Sequence, residues 1–359
     1  MLIIDAHEDL AWNIQTFNRD YTRSARETRL LEANTFIPRW NGDTLLGWDD
    51  YQKGEVAIVF STLFAAPARR KMGEWDIECY HDPAGAQKLY RSQVDLYRQL
   101  TSDYPEKYQL INNKPDLYRI INDWQNKPGN HPIGLVMLME GAEGILYPSE
   151  VEDWWELGVR IIGPAWAGNA YCGGTAEPGG LTALGSELLE CMAEIGMILD
   201  LSHMDEKAAL QALDTYPKTI IASHANAKAL LAGIDSNRHL SDLVIQRIIE
   251  RNGVIGVVPF NVFLKAGWKY GDAQEEVTLD DVFAQMDHIC QIAGDAKHTA
   301  IGSDFDGGFG KQSTPFEIDT IADLQKIANL LLMHGYSQAD TELILGKNWL
   351  NLLSQNLPE

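Results

Sequence analysis

The stretch LIIDAHEDL, residues 2–10, carries an apolar run into three consecutive ionisable side chains, His7, Glu8 and Asp9. In an extended strand alternate side chains share a face. His7 and Asp9 therefore point together as a two-pronged nitrogen and oxygen donor, while Glu8 turns towards a helix layer or solvent. Four other apolar runs end in the same manner: PIGLVMLME in Glu140, MILDLSH in His203, TIIASH in His224 and TAIGSD in Asp304. One such residue is most simply a core group bonded to backbone; the same placement on run after run is a pattern. The set His7, Asp9, Glu140, His203 and His224 suits Zn2+, Mn2+, Fe2+ or Co2+ better than Ca2+ or Mg2+. A single catalytic zinc takes about three protein ligands and keeps one position open. Two ions sharing Glu140 as a bridge use all five donors, and a pair about 3.5–4 Å apart holds a hydroxide and polarises a carbonyl. The reaction class implied is hydrolysis of an amide or ester. Asp304 is placed to take a proton from the attacking water and return it to the leaving amine. Arg238, in GIDSNRHLSD, either grips a carboxylate with two parallel hydrogen bonds or pairs at the surface with Asp235 or Asp242. Asp306 is expected to stabilise its own Gly-rich turn, DGGFG.

These residues need a scaffold that brings strand ends together. Strands are expected at 2–7, 55–64, 132–140, 159–165, 197–203, 219–224, 253–260 and 298–304. Helices are expected at 83–101, 181–195, 205–214, 225–231, 241–251, 278–293, 317–334 and 337–353. Continuous apolar strands separated by helices imply a parallel sheet covered on both faces. Eight of them point to an α/β protein, a (β/α)8 TIM barrel of the metal-dependent hydrolase type, whose strands all end at one mouth. A doubly wound sheet would announce a Gly-rich phosphate turn after an early strand, and none follows Ile4 or Phe64. With no repeat, low-complexity tract or long linker, residues 1–359 read as one barrel domain. Its first βα loop, about 15–53, is unusually long; it is either a lid over the site or, through Trp40 and Trp48, a segment packed on the barrel rim.

A formal charge of −22 and a pI near 4.7 argue against nucleic acid and anionic membranes as partners. No stretch has the length and apolarity of a membrane span and no basic, cleavable leader follows Met1, so a cytoplasmic location is expected. Cys79, Cys172, Cys191 and Cys290 are too scattered for a CxxC site and read as reduced thiols. His81, His131, His239, His288, His298 and His334 lack ligand spacing. Trp154, Trp155, Tyr90, Tyr97 and Trp349 fall at amphipathic spacing and are assigned to packing.

Read together, DAHEDL (5–10), MEGAEGI (139–145), ELGVRIIG (156–163), IGMILDLSHM (195–204), IIASHANA (220–227), NRHLSD (237–242), AIGSDFDG (300–307) and ILGKNWLNLL (344–353) resemble, in order, the membrane dipeptidase (renal dipeptidase) family of zinc peptidases, M19. The resemblance implies two zinc ions, one held by His7 and Asp9, the other by His203 and His224, with Glu140 bridging. It implies that Arg238 binds the substrate's terminal carboxylate and that Asp304 handles the proton. The substrates it implies are dipeptides, often with a D-residue on the C-terminal side, and it leans towards a homodimer. One position departs from it. The family's His after the fourth strand falls, counting from Arg160, at Trp166, whose indole donates one hydrogen bond but cannot become a cation.

Three readings follow: a binuclear zinc dipeptidase working by metal-bridging hydroxide attack; a related metal-dependent amidohydrolase acting on N-acyl amino acids or another small amide or lactone; and a barrel that binds without catalysis. The complete donor set argues against the third.

Overall fold

The computed structural model describes residues 1–359. All eight expected strands form: β1 (Ile3–Glu8), β2 (Val56–Leu63), β3 (Ile133–Glu140), β4 (Val159–Gly163), β5 (Ile198–Asp200), β6 (Ile220–Ile221), β7 (Ile255–Val257) and β8 (Thr299–Ile301). Each pairs in parallel with its neighbour in sequence order, apart from β6 and β7, and β8 returns to β1. A parallel bridge between Ala222 and Ile255 joins β6 to β7 and closes the ring into a (β/α)8 barrel. Every residue of β1, β2 and β3 is buried, because one face meets the barrel interior and the other the helices.

The helices begin and end where local chemistry asks them to. Thr182 caps Ala183–Ile195 from its side chain and Gly196 ends it at φ 79°. Leu279–Ala293 starts on a Thr278/Asp281 capping box and stops at Gly294, φ 76°; glycine takes this left-handed conformation without the Cβ penalty. The helix expected at 225–231 does not form. Only a 3-10 turn, Lys228–Leu230, is present, because the Asn226 side chain is committed to the backbone of the β7 side, donating to Val258 and Phe263 carbonyls and accepting from the Val258 amide. Helices Leu10–Phe17, Lys114–Asn126 and Val151–Glu156, and a short strand Tyr108–Leu110 beside β3, are additional elements. No helix is long and apolar enough to cross a membrane.

The last helical stretch closes the end of the barrel opposite the mouth. Trp349 donates its indole N–H to the Ile301 carbonyl (2.8 Å) and meets Phe60 edge-on at 5.3 Å. The Gly346 backbone runs so close to the start of β1 that a Cβ there would lie 2.7 Å from the Leu2 carbonyl oxygen.

The segment between β1 and β2 is not loose. It carries Ala25–Glu32, opened by a Ser24/Glu27 capping box, then Ile37–Trp40 and Trp48–Lys53. What holds it is Asp306. This buried carboxylate pairs with Arg19 (3.0 Å) and accepts hydrogen bonds from the Tyr21 hydroxyl (2.9 Å), the Leu45 amide (2.8 Å) and the Thr44 hydroxyl. The expectation that Asp306 serves its own turn is thus corrected, since its oxygens are spent on a segment nearly three hundred residues away. The tryptophans pack the segment against its surroundings. Trp48 packs against the core, while Trp40 is 46% exposed and stacks on Trp75 of the loop after β2. Replacing Asp306 with Ala leaves buried Arg19 with Glu32 as its remaining counter-charge (2.9 Å) and the Tyr21 hydroxyl and Leu45 amide without their acceptor, and urea unfolding is expected to show a loss of about 1–3 kcal/mol. A loss below about 1 kcal/mol would mean that the segment is held by its helices instead.

Candidate metal centre

At the mouth, β1 carries His7 one residue before its end, with Asp9 just beyond it, and β3 ends in Glu140; His203, His224 and Asp304 follow β5, β6 and β8. Their donor atoms meet around Glu140. Its Oε2 lies 3.5 Å from His7 Nε2, and its Oε1 lies 3.0 Å from His203 Nε2 and 3.3 Å from His224 Nε2. His7 Nε2 is also 4.0 Å from Asp9 Oδ1 and 3.9 Å from Asp304 Oδ1. Two donor groups, His7 with Glu140 and His224, and His7 with Asp9 and Asp304, have their atoms within 4.8 Å of one another. The sequence-predicted ligands and Asp304 thus all converge. Glu8 points away, buried in the helix layer and hydrogen-bonded by the Tyr51 hydroxyl.

The residues fit a cation. His203 and His224 direct their Nε2 atoms at each other across 2.9 Å while hydroxyls hold their Nδ1 atoms, Thr175 on His203 (2.9 Å) and Ser223 on His224 (2.8 Å). A metal-ligating imidazole is normally oriented this way through its second nitrogen. Neither ring nitrogen of buried His7 has a hydrogen-bond partner, an expensive state unless another ligand takes the lone pair.

Two buried carboxylates clasp the strand ends. Asp200 on β5 accepts from the Ser223 amide (2.8 Å) and hydroxyl, immediately before His224. Asp5 on β1 accepts from the Ser303 amide (2.6 Å) and hydroxyl, immediately before Asp304. His203 (φ 66°), Asp304 (φ 56°) and Asp306 (φ 64°) are left-handed non-glycine residues. This conformation costs about 1–2 kcal/mol per residue and recurs where a functional side chain must be aimed. Thr175, Ser223, Asp200 and Asp5 were not found by sequence reasoning. The signal available was the repeated adjacency of Ser to a functional residue in ASH and GSD, each one strand away from a buried Asp.

Electrostatically the centre is short of positive charge. Burial pulls His7 down, but Glu140, Asp9 and Asp304 around it outweigh this and push it up to about 10. Burial, with Glu140 alongside, raises Asp9 to about 6, and burial lifts Asp304 well above the carboxylate range. Burial also works against ionised Glu140, yet His7, His203 and His224 hold it well below its ordinary value. His203 is lowered to about 4 by burial and by Arg238.

Arg238 does not pair with Asp235 or Asp242. It is buried, donates one N–H to the His224 carbonyl (2.8 Å), lies 5.1 Å from the Phe263 ring centre and leaves Nε and Nη1 without partners. It faces a cleft of about 340 Å³ that also exposes Asp9, Glu140, His203 and Asp304. One wall, beside Arg238, carries Phe260 stacked on Phe309 and met edge-on by Phe263; the other carries Trp12, Phe64 and Trp166. Trp166 sits between Phe64 (5.3 Å) and His203 (6.0 Å). The other expectations fall as follows: Trp154, Tyr90, Tyr97 and Trp349 are fully buried, Trp155 is half-buried, and all four cysteines are unpaired.

Comparison with known proteins bears on this arrangement. A family model described as "Membrane dipeptidase (Peptidase family M19)" matches residues 1–357. A protein of Klebsiella pneumoniae known as the "Uncharacterized protein in pqqA 5'region" is 30% identical over 273 residues, 73% of this chain and 93% of that protein. "Dipeptidase tcpJ" of Claviceps purpurea (strain 20.1) is 28% identical over 317 residues, 84% of this chain and 67% of its own length. Among solved structures, a metallo peptidase from Rhodobacter sphaeroides, liganded with a phosphinate mimic of the dipeptide L-Ala-D-Ala, superposes with a TM-score of 0.77 over 99% of both chains at 21% identity, a likeness of fold.

Gly256 and Gly302 press on Ser223 so closely that a Cβ on either would collide with its carbonyl oxygen. Gly302→Ala must therefore displace the segment that carries His224, and thermal unfolding is expected to register a loss of about 1–3 kcal/mol or more. An unchanged midpoint would show that this strand end yields easily.

Proposed function

The chain belongs to the membrane dipeptidase family, peptidase family M19, and from that premise we propose that it hydrolyses the peptide bond of free dipeptides at a centre of two divalent cations, zinc foremost. The observation that carries this reading is the two-sided use of Glu140, one oxygen turned to His7 and the other to His203 and His224. His7 and Asp9 would hold one ion, His203 and His224 the other, and Glu140 both. Bound there, the cations supply acidified water and a polarised carbonyl at neutral pH. The remaining work falls to protein groups. Arg238 offers two unsatisfied donors to the substrate's C-terminal carboxylate, and a planar guanidinium meets a carboxylate in two parallel hydrogen bonds. Asp304, its Oδ1 3.9 Å from His7 Nε2 and open to the cleft, takes a proton from the attacking water and delivers it to the departing amine. Trp166 excludes water and offers a single N–H donor where the family has an imidazole. A D-residue on the C-terminal side is part of the proposal, supported by the L-Ala-D-Ala mimic bound to the Rhodobacter sphaeroides relative in fold.

Exhaustive chelation is expected to abolish dipeptide hydrolysis and Zn2+ to restore it, with elemental analysis of the restored protein giving two metal equivalents per chain. One equivalent at full activity would sink the binuclear reading, and activity indifferent to chelation would sink the metallopeptidase reading altogether. Arg238→Met is expected to lower kcat/KM for dipeptides by roughly 10- to 100-fold, mainly through KM, the worth of a hydrogen bond to a charged group. Dipeptide amides, which lack the carboxylate, should not distinguish the variant from the parent; an equal loss on both substrates would contradict the carboxylate role.

A further inference from the structure

The loop after β2, residues 64–80, forms the outer part of the cleft wall. It is fastened on both sides. Trp75 stacks on Phe17 and on Trp40 of the first segment. Arg69 and Arg70 both close on Glu177 of the hairpin Cys172–Leu181 (2.7 and 3.0 Å). Inside this loop lies Asp76, only 1% exposed yet lining the cleft. Its Oδ2 accepts from the Met72 amide (3.2 Å), the Cys79 thiol lies against the same carboxylate, and its Oδ1 has no N–H or O–H donor. The cations of the same loop are engaged elsewhere, since Lys71 pairs with Glu74 (3.4 Å) and the two arginines with Glu177. A carboxylate withdrawn from water without a counter-charge is costly, and here the opening that would admit one is the substrate cleft.

The two walls divide the cleft between the ends of a dipeptide. Phe260, Phe263 and Phe309 stand beside Arg238, where the C-terminal residue is held under the reading above. Trp12, Phe64 and Trp166 with Asp76 are left for the N-terminal residue. Its α-ammonium is bonded to the carbon next to the carbonyl under attack and so must sit against the Glu140 cluster. Asp76 makes no ion pair or hydrogen bond with that cluster, and its loop neighbour Met72 is 56% exposed at the rim. A cation that reaches Asp76 therefore arrives on a long arm. Aromatic walls along that path suit the methylene stem and charged head of such an arm.

We infer that the N-terminal residue of the preferred dipeptide is basic, its side chain running along Trp12, Phe64 and Trp166 to end on the free oxygen of Asp76. This rests on the dipeptidase reading. The test compares L-Lys-Ala with L-norleucyl-Ala, which matches its stem and lacks its charge, each offered with D-Ala and with L-Ala, in the zinc-loaded parent and in Asp76→Asn, which keeps the acceptor for the Met72 amide. The parent is expected to favour Lys-Ala in kcat/KM by roughly 10- to 100-fold, and the variant to lose that ratio. A parent with no preference, or a variant that loses both substrates equally, overturns the inference while leaving dipeptide hydrolysis standing. Should neither dipeptide be hydrolysed, the dipeptidase reading fails instead, and calorimetry with free L-lysine against L-norleucine decides the cation site. Lysine binding that exceeds norleucine binding and is lost in Asp76→Asn supports it, and equal binding overturns it.

Discussion

Three carboxylates, the buried Asp9 and Glu140 and the half-buried Asp304, crowd around His7, and the architecture answers the positive charge that this crowding demands. Carboxylates crowded in a poorly solvated space cannot all stay ionised without compensation. The His7 imidazole supplies part of it, and Arg238 stands at the edge of the same field. Nothing about any one strand calls for this density of charge; it arises because barrel closure brings every strand end to one mouth. The closed ring is a precondition of the chemistry, and the donor set is the reason the ring must close in this register.

The supporting hydroxyls show how the register is enforced. A donor atom that misses by an ångström is of little use to a cation, and side chains on strand ends are free to rotate unless something else grips them. Thr175 and Ser223 take the far nitrogens of His203 and His224, and the left-handed backbone at His203 and Asp304 turns those side chains inward where an extended continuation would carry them past. The centre therefore stands on a wide base of residues, most of them with no chemistry of their own.

Much of this was legible in the sequence. The eight strands were marked by apolar runs, and the donors were marked by ending them; both signals survive because each strand is buried on both faces and each donor must break that pattern. Arg238 could be assigned only to a choice between surface pairing and anion binding, since burial is not written in NRHLSD. The helix expected at 225–231 failed because the hydrogen bonds of Asn226 to residues 258 and 263 are a tertiary fact. Lys114–Asn126 was missed although Asn113 and Pro115 mark its start, its apolar residues being too sparse to stand out. Asp306 was given to its own turn because nothing local betrays a tie to Arg19, Tyr21, Thr44 and Leu45. Ser223 and Ser303 look ordinary until the opposing aspartates are seen across the strand gap.

Those two aspartates, Asp5 and Asp200, have a further meaning for the history of such a barrel. Each rivets one strand to the next just beneath the mouth, below the level at which the connecting segments depart. The segments above are secured separately, by Asp306 for the first and by Glu177 for the one after β2. A lineage can therefore lengthen, shorten or recolour the rim without retuning the donors underneath, so that what the protein accepts drifts on one clock and how it reacts is kept on another.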